Sequence, residues 1–146
     1  MKYLTNEASL ELPNDLTDRS VNMLMSRDGA SVSYVITRDR LLEGEDLQQF
    51  IQRQLKDLSR QVSKFKELAR EEAVFGQGAQ RRSGTQIQSC FKQHGNEVFQ
   101  RQALVLLDDG VRVLIVTATA LRKFIASEET DWLHMLASYA PASLSS

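Results

Sequence analysis

Two periodicities alternate along the chain and between them predict its elements. Residues 8–12 alternate polar and apolar and stop at the turn-forming cluster Pro13-Asn14-Asp15. Residues 20–25 alternate again, with Ser20, Asn22 and Leu24 on one side and Val21, Met23 and Met25 on the other. Asp28-Gly29 offers the positive φ of a tight turn. The strand predicted at 31–38 carries Val32, Tyr34 and Ile36 on one face and Ser33, Val35 and Thr37 on the other. The period then changes. Leu47, Phe50, Ile51, Leu55, Leu58, Val62 and Phe65 form one helical stripe, behind Asp46 as N-cap and Gln49 as its capping-box partner, predicting a helix over 46–65. A strand at 67–75 and a glycine-containing loop, Gly76-Gln77-Gly78, follow.

Strands at 84–92 and 97–107 flank a His94-Gly95-Asn96 turn, and Asp108-Asp109-Gly110 leads into a β-branched strand at 111–119. A helix over 127–139 closes the pattern, with Ser127 as its N-cap, Glu128, Glu129 and Asp131 at its positive end and Pro141 as its stop. Residues 141–146 read as a flexible tail. The order β–β–β–α–β–β–β–α with tight hairpins predicts an α+β fold, an antiparallel sheet with both helices packed against it.

Length and charge narrow the classes. One hundred and forty-six residues make one domain, 1–146, long enough to stand without a disulfide or metal. With 42% apolar and 25% charged residues the chain is neither disordered nor membrane-spanning. Eighteen basic against nineteen acidic residues, without a clustered basic face, argue against nucleic-acid binding. A single cysteine, Cys90, and a start lacking an apolar leader lead us to expect a soluble cytoplasmic protein.

Catalytic chemistry is hard to find. Cys90 and His94 are too few for a metal site, so no metal or cofactor is expected. As a nucleophile Cys90 lacks an orienting third group and an oxyanion hole. The loop Gly76-Gln77-Gly78-Ala79 before Arg81-Arg82 lacks the strand–loop–helix context of a phosphate site. Glu71/Glu72 and Asp108/Asp109 are neighbours that point apart when extended. No enzyme is expected.

Two anomalies remain. Gln54 falls in the middle of the helical apolar stripe, where a buried amide needs partners or costs about 1–3 kcal/mol. The Ser33/Val35/Thr37 face carries neither a charge nor a large side chain, unlike a solvated face. Gln100, Gln102 and Leu104 share one face of their strand while Arg101 lies on the other, and Val21 and Met23 add apolar surface. Such a mixture suits an apolar helix as guest, a small-molecule pocket or a plain surface equally well.

The chain resembles the Eag chaperones, effector-associated chaperones of bacterial type VI secretion with a DcrB-like fold related to the Mog1/PsbP-like architecture. The resemblance runs through Tyr3-x4-Ala8-Ser9-Leu10-Glu11-Leu12-Pro13, Ser20-Val21-Asn22-Met23, Ser33-Tyr34-Val35-Ile36-Thr37-Arg38-Asp39, Phe50-Ile51-x-Arg53-Gln54-Leu55 and Arg101-Gln102. It implies a curved sheet and a homodimer without enzymatic activity. Such a chaperone shields the N-terminal transmembrane helices of a PAAR- or Rhs-type effector in the cytoplasm, for loading onto the VgrG spike. It also implies the site: apolar contacts from Val21, Met23 and Val35, and polar contacts from Ser33, Thr37, Gln54 and Gln102. Met23 stands where the family has an isoleucine-like residue, and Thr37 where it has serine. The competing expectation is a small-ligand-binding α+β domain using the same face.

Overall fold

The computed structural model describes residues 1–29 and 31–142. In chain order the elements are β1 (Lys2–Leu4), β2 (Ser9–Glu11), β3 (Asn22–Leu24), β4 (Ser33–Arg40), α1 (Leu47–Gln61), β5 (Ser63–Phe75), β6 (Arg82–Gln93), β7 (Asn96–Leu106), β8 (Arg112–Ala120) and α2 (Ala126–Ala137). A 3-10 turn at Gly78–Gln80 joins β5 to β6. The strand expected at 8–12 forms as β2. It pairs with β1, which the pattern did not signal, in a separate two-stranded hairpin. The other six strands form one antiparallel sheet in the order β3-β4-β8-β7-β6-β5. The fold is α+β, as the alternation and tight turns predict. Of the tail, residues 143–146 lie outside the described residues.

Tight turns fix the register. At Asp109-Gly110 the Asp109 carboxylate accepts from the backbone N–H groups of Val111 and Arg112, both at 2.9 Å, and from the Arg112 guanidinium. Those bonds hold its pKa far below the usual carboxylate range. Counting outward from this turn pairs Leu104 with Ile115 and Gln102 with Thr117.

Alternation then sorts the sheet into two faces. Ala103, Val105, Val116 and Ala118 bury with Ala73 and Phe75 beneath Trp132 and Leu136 of α2. Val32, Tyr34 and Ile36 pack against this cluster, as expected for their side of the strand. Leu104, Val113, Ile115 and Ile87 point the other way, beneath Phe50, Ile51 and Leu55 of α1. Each helix thus covers one face, a three-layer arrangement that periodicity alone did not reveal.

α1 begins as predicted. Asp46 accepts from the Gln49 N–H at 2.8 Å, and the Gln49 side chain accepts from the Asp46 N–H at 2.9 Å. Its end differs. The helix stops at Gln61, so Val62 and Phe65 leave the helical stripe. Strand pairing wins there: Ser63 pairs with Lys92, and Phe65 stacks on Phe91 with ring centroids 6.4 Å apart. No Pro or Gly marks the change; Lys64 itself takes a positive φ of 53°. The cap of α2 is also corrected. Ile125 occupies the N-cap position instead of Ser127, because Glu128 reaches back to accept the Ile125 N–H at 2.9 Å.

Gly84 lets β5, β6 and β7 close up. A Cβ there would meet the Leu104 carbonyl oxygen at 2.4 Å and the Phe75 ring at 2.8 Å. Gly84→Ala is therefore expected to destabilise the chain by about 1–3 kcal/mol, read as a lower midpoint in urea unfolding. Glu128 generates an acid prediction. Two hydrogen bonds from Arg122, at 2.7 and 2.9 Å, and the Ile125 N–H outweigh burial and hold its pKa down to about 2. Because the folded value lies below the ordinary 4.5, this stabilisation is complete above that pH and is lost as pH falls toward about 2. Thermal melts should show a smaller stability loss across this window in Glu128→Gln than in the wild type.

Candidate functional site

α1 covers only part of its face. Gln48 of its first turn donates to Thr85 of β6 at 2.9 Å, and Ile51 and Leu55 seal over Ile87, Leu104 and Ile115. The loop before it is clamped to it, since Arg53 donates to Glu45 at 3.0 and 2.9 Å while its guanidinium lies 5.1 Å over the Phe50 ring. These bonds also keep the Glu45 carboxyl below its ordinary pKa. Further along the strands on the same face, Thr117, Thr119, Gln100, Gln102, Ser33 and Val35 are half-buried and belong to neither core cluster.

Strand register places five of the seven predicted residues around this open region, and α1 brings Gln54 to its edge. Met23 lies opposite Val35, Val35 opposite Thr117, and Thr117 opposite Gln102, making one row across four strands. Ser33 and Thr37 flank Val35 on β4, on the same face. Gln54 of α1 and Gln102 of β7 line one recess of about 10 Å³, with Ile51, Leu55, Ile87, Leu104 and Ile115. Val21 stands apart. It lies just before β3 and is 53% exposed, beside Met23 at 67%. Large apolar side chains left in water on a sheet face mark a surface suited to a partner.

Both glutamines have partners. Gln54 donates to Asp39 at 3.4 Å and Gln102 donates to Thr117 at 3.3 Å. Asp39 corrects the expectation of a face without charge. Because β4 runs on to Arg40, a carboxylate follows Ser33, Val35 and Thr37 on their side. Sequence reasoning also missed Thr117, Thr119 and Ser89, although counting from the Asp109-Gly110 and His94-Gly95 turns places all three on the face of Gln100 and Gln102.

The other chemical candidates disperse. Cys90 is half-buried in β6 opposite Phe99, and His94 occupies the following turn at φ 52°. Among the described residues no group of three or more His, Cys, Asp or Glu is placed to hold a metal ion. No described helix is long and apolar enough to cross a membrane.

A six-stranded antiparallel sheet with one helix on each face, one face half open, defines the class: an α+β protein with an accessible sheet surface. The chain belongs to the DcrB family, whose sequence profile matches residues 7–138. Its fold is similar to that of PA94, a Pseudomonas aeruginosa protein of unknown function. That crystal structure superimposes with a TM-score of 0.76 at 24% identity, covering 98% of this chain and 97% of PA94. LpqN of Mycobacterium tuberculosis, involved in cell envelope biogenesis, is a more distant likeness, with a TM-score of 0.53 at 17% identity over 90% of this chain and 82% of that one. No curated protein matches.

The recess yields a stability prediction. Leucine in place of Gln54 would sit among Ile51, Leu55 and Leu104 and remove an amide from an apolar setting, at the loss of one long bond to Asp39. Gln54→Leu should leave the melting temperature unchanged or raise it, whereas a fall of several degrees would mean that the Gln54–Asp39 bond holds the fold.

Proposed function

We propose that this chain is a cytoplasmic chaperone of the Eag type, similar to SciW, that shields the N-terminal transmembrane helices of a PAAR- or Rhs-type effector until the effector is loaded onto a VgrG spike. In this reading it works as a homodimer and catalyses no reaction. One observation supports it above the others. The half of the α1 face that α1 leaves open combines apolar side chains, Met23 and Val35, with neutral hydrogen-bonding ones, Ser33, Thr117 and Gln102, in register. Apolar side chains supply area, each 100 Å² of guest surface removed from water contributing about 2.5 kcal/mol. Neutral hydroxyls and amides pair with polar groups of the guest and cost less to desolvate than charges.

The small-ligand alternative gains little from this face. Its recess of about 10 Å³ is far below the roughly 300 Å³ at which small-molecule sites begin.

Affinity purification of the tagged chain from its host, followed by mass spectrometry, tests the reading. It should recover one large protein with apolar N-terminal segments, and deletion of those segments should abolish recovery. Within the site, Val35→Gln places an amide between Met23 and Thr117 and should abolish effector binding while circular dichroism remains native. A folded Val35→Gln chain that holds the effector at wild-type affinity would overturn the site. Gln102→Ala should weaken binding with little change in melting temperature.

A further inference from the structure

A larger cleft lies where α1 gives way to β5 and β6 turns into β7. It measures about 470 Å³, within the range of small-molecule sites. Its polar lining comes from Gln61, Ser63 and Lys64 on one side and from Lys92, Gln93 and His94 on the other. Among the described residues no carboxylate lines it.

Two of the basic residues stand where the backbone favours other side chains. Lys64, at φ 53°, and His94, at φ 52°, are the only non-glycine residues with positive φ among those described. Glycine is the ordinary occupant of that conformation, because a Cβ crowds the backbone there. His94-Gly95 is moreover the two-residue turn between Gln93 and Asn96, for which Asn-Gly is the favoured pair. Each position thus holds a basic side chain at a conformational cost, and both line the same cleft.

These side chains are also unpartnered. Those of Gln61, Ser63, Lys64, Lys92, Gln93 and His94 make no hydrogen bond or ion pair with another described residue. The cleft toward the other end of β5 shows the opposite. There Ser83 donates to Glu72 and Gln48 donates to Thr85, each at 2.9 Å.

The chemistry of the lining selects the ligand. Two ammonium groups and an imidazole suit a phosphate, whose charge and oxygen acceptors match them. Two carboxamides and a hydroxyl suit the hydroxyls of a polyol, since they offer donors and acceptors together. Apart from the imidazole, no aromatic ring among the described residues lines the cleft to stack on a base. We propose that this cleft binds a phosphorylated polyol, the chemistry shared by a free glycerol or sugar phosphate and by the headgroup of an anionic glycerolipid. The site is separate from the open sheet rows and does not depend on the chaperone reading.

The test follows amide chemical shifts of the full, isotopically labelled chain during titration with glycerol phosphate, glycerol and inorganic phosphate. In parallel, it follows co-sedimentation of the chain with phosphatidylglycerol and with phosphatidylcholine vesicles. Glycerol phosphate should shift the Lys64, Lys92 and Gly95 signals saturably and bind about fivefold more tightly than inorganic phosphate, while glycerol alone should not bind. Lys92→Gln should weaken binding about fivefold. Lys64→Gly and His94→Asn should weaken it too, yet leave the melting temperature equal or higher, since each supplies the residue that the backbone favours. Binding to phosphatidylglycerol vesicles that falls in Lys92→Gln, without a saturable shift from free glycerol phosphate, assigns the lipid headgroup as the source. The reverse assigns the free phosphate. Saturable binding to neither form overturns the inference. So does binding that keeps its wild-type strength in folded Lys92→Gln, or inorganic phosphate that binds as tightly as glycerol phosphate, which would leave only a nonspecific anion patch.

Discussion

Strand register is the constraint on which the rest of this structure depends. Side chains alternate strictly between the two faces of a sheet, so a slip of one residue would exchange the α1 face for the α2 face throughout a strand. Tight turns at Asp109-Gly110 and His94-Gly95 prevent that slip between β6, β7 and β8, and β4 joins β8 without a bulge. Once the register is set, Leu104, Val113 and Ile115 must meet α1, while Val105, Val116 and Trp132 must meet on the other side. The open rows follow from the same pairing. Gln102 and Thr117 are neighbours because the Asp109-Gly110 turn makes them so, and Val35 and Met23 join them through the pairing of β4 with β8 and β3.

Most of the fold was legible because most elements carried their own signals. The Asp46–Gln49 box announced α1, and paired glycine turns announced the hairpins. Signals failed where tertiary contacts compete with local pattern. Val62 and Phe65 keep helical spacing with Leu55 and Leu58, yet pairing with Lys92 and stacking on Phe91 draw the chain into β5. β1 is three residues long and gains its identity only by pairing with β2. Ser127 is chemically suited to cap α2, but Glu128, already held by Arg122, takes the Ile125 N–H instead.

The candidate site was half legible. Gln54 stood out as an amide in an apolar stripe, and parity placed Gln102 with Gln100 and Val35 with Ser33 and Thr37. What parity within one strand does not give is which strands adjoin. Joining β4 to β8 brings Thr117 and Thr119 between Val35 and the glutamines, and only the assembled sheet shows Asp39 within reach of Gln54. The structure thus turns a list of residues into rows that cross β3, β4, β8 and β7.

α1 supplies the division of labour. Where it packs, the face is core; beyond it, the same strands carry short polar and medium apolar side chains that remain half-buried. The most direct test of that division is site-specific photo-crosslinking of the chain in its host. A benzophenone side chain at Thr119, within the open rows, should cross-link to an apolar helical segment of the bound protein. The same group at Leu133, which is 60% exposed on α2, should not. Cross-links from Leu133 alone would contradict the account by placing the partner on the opposite face.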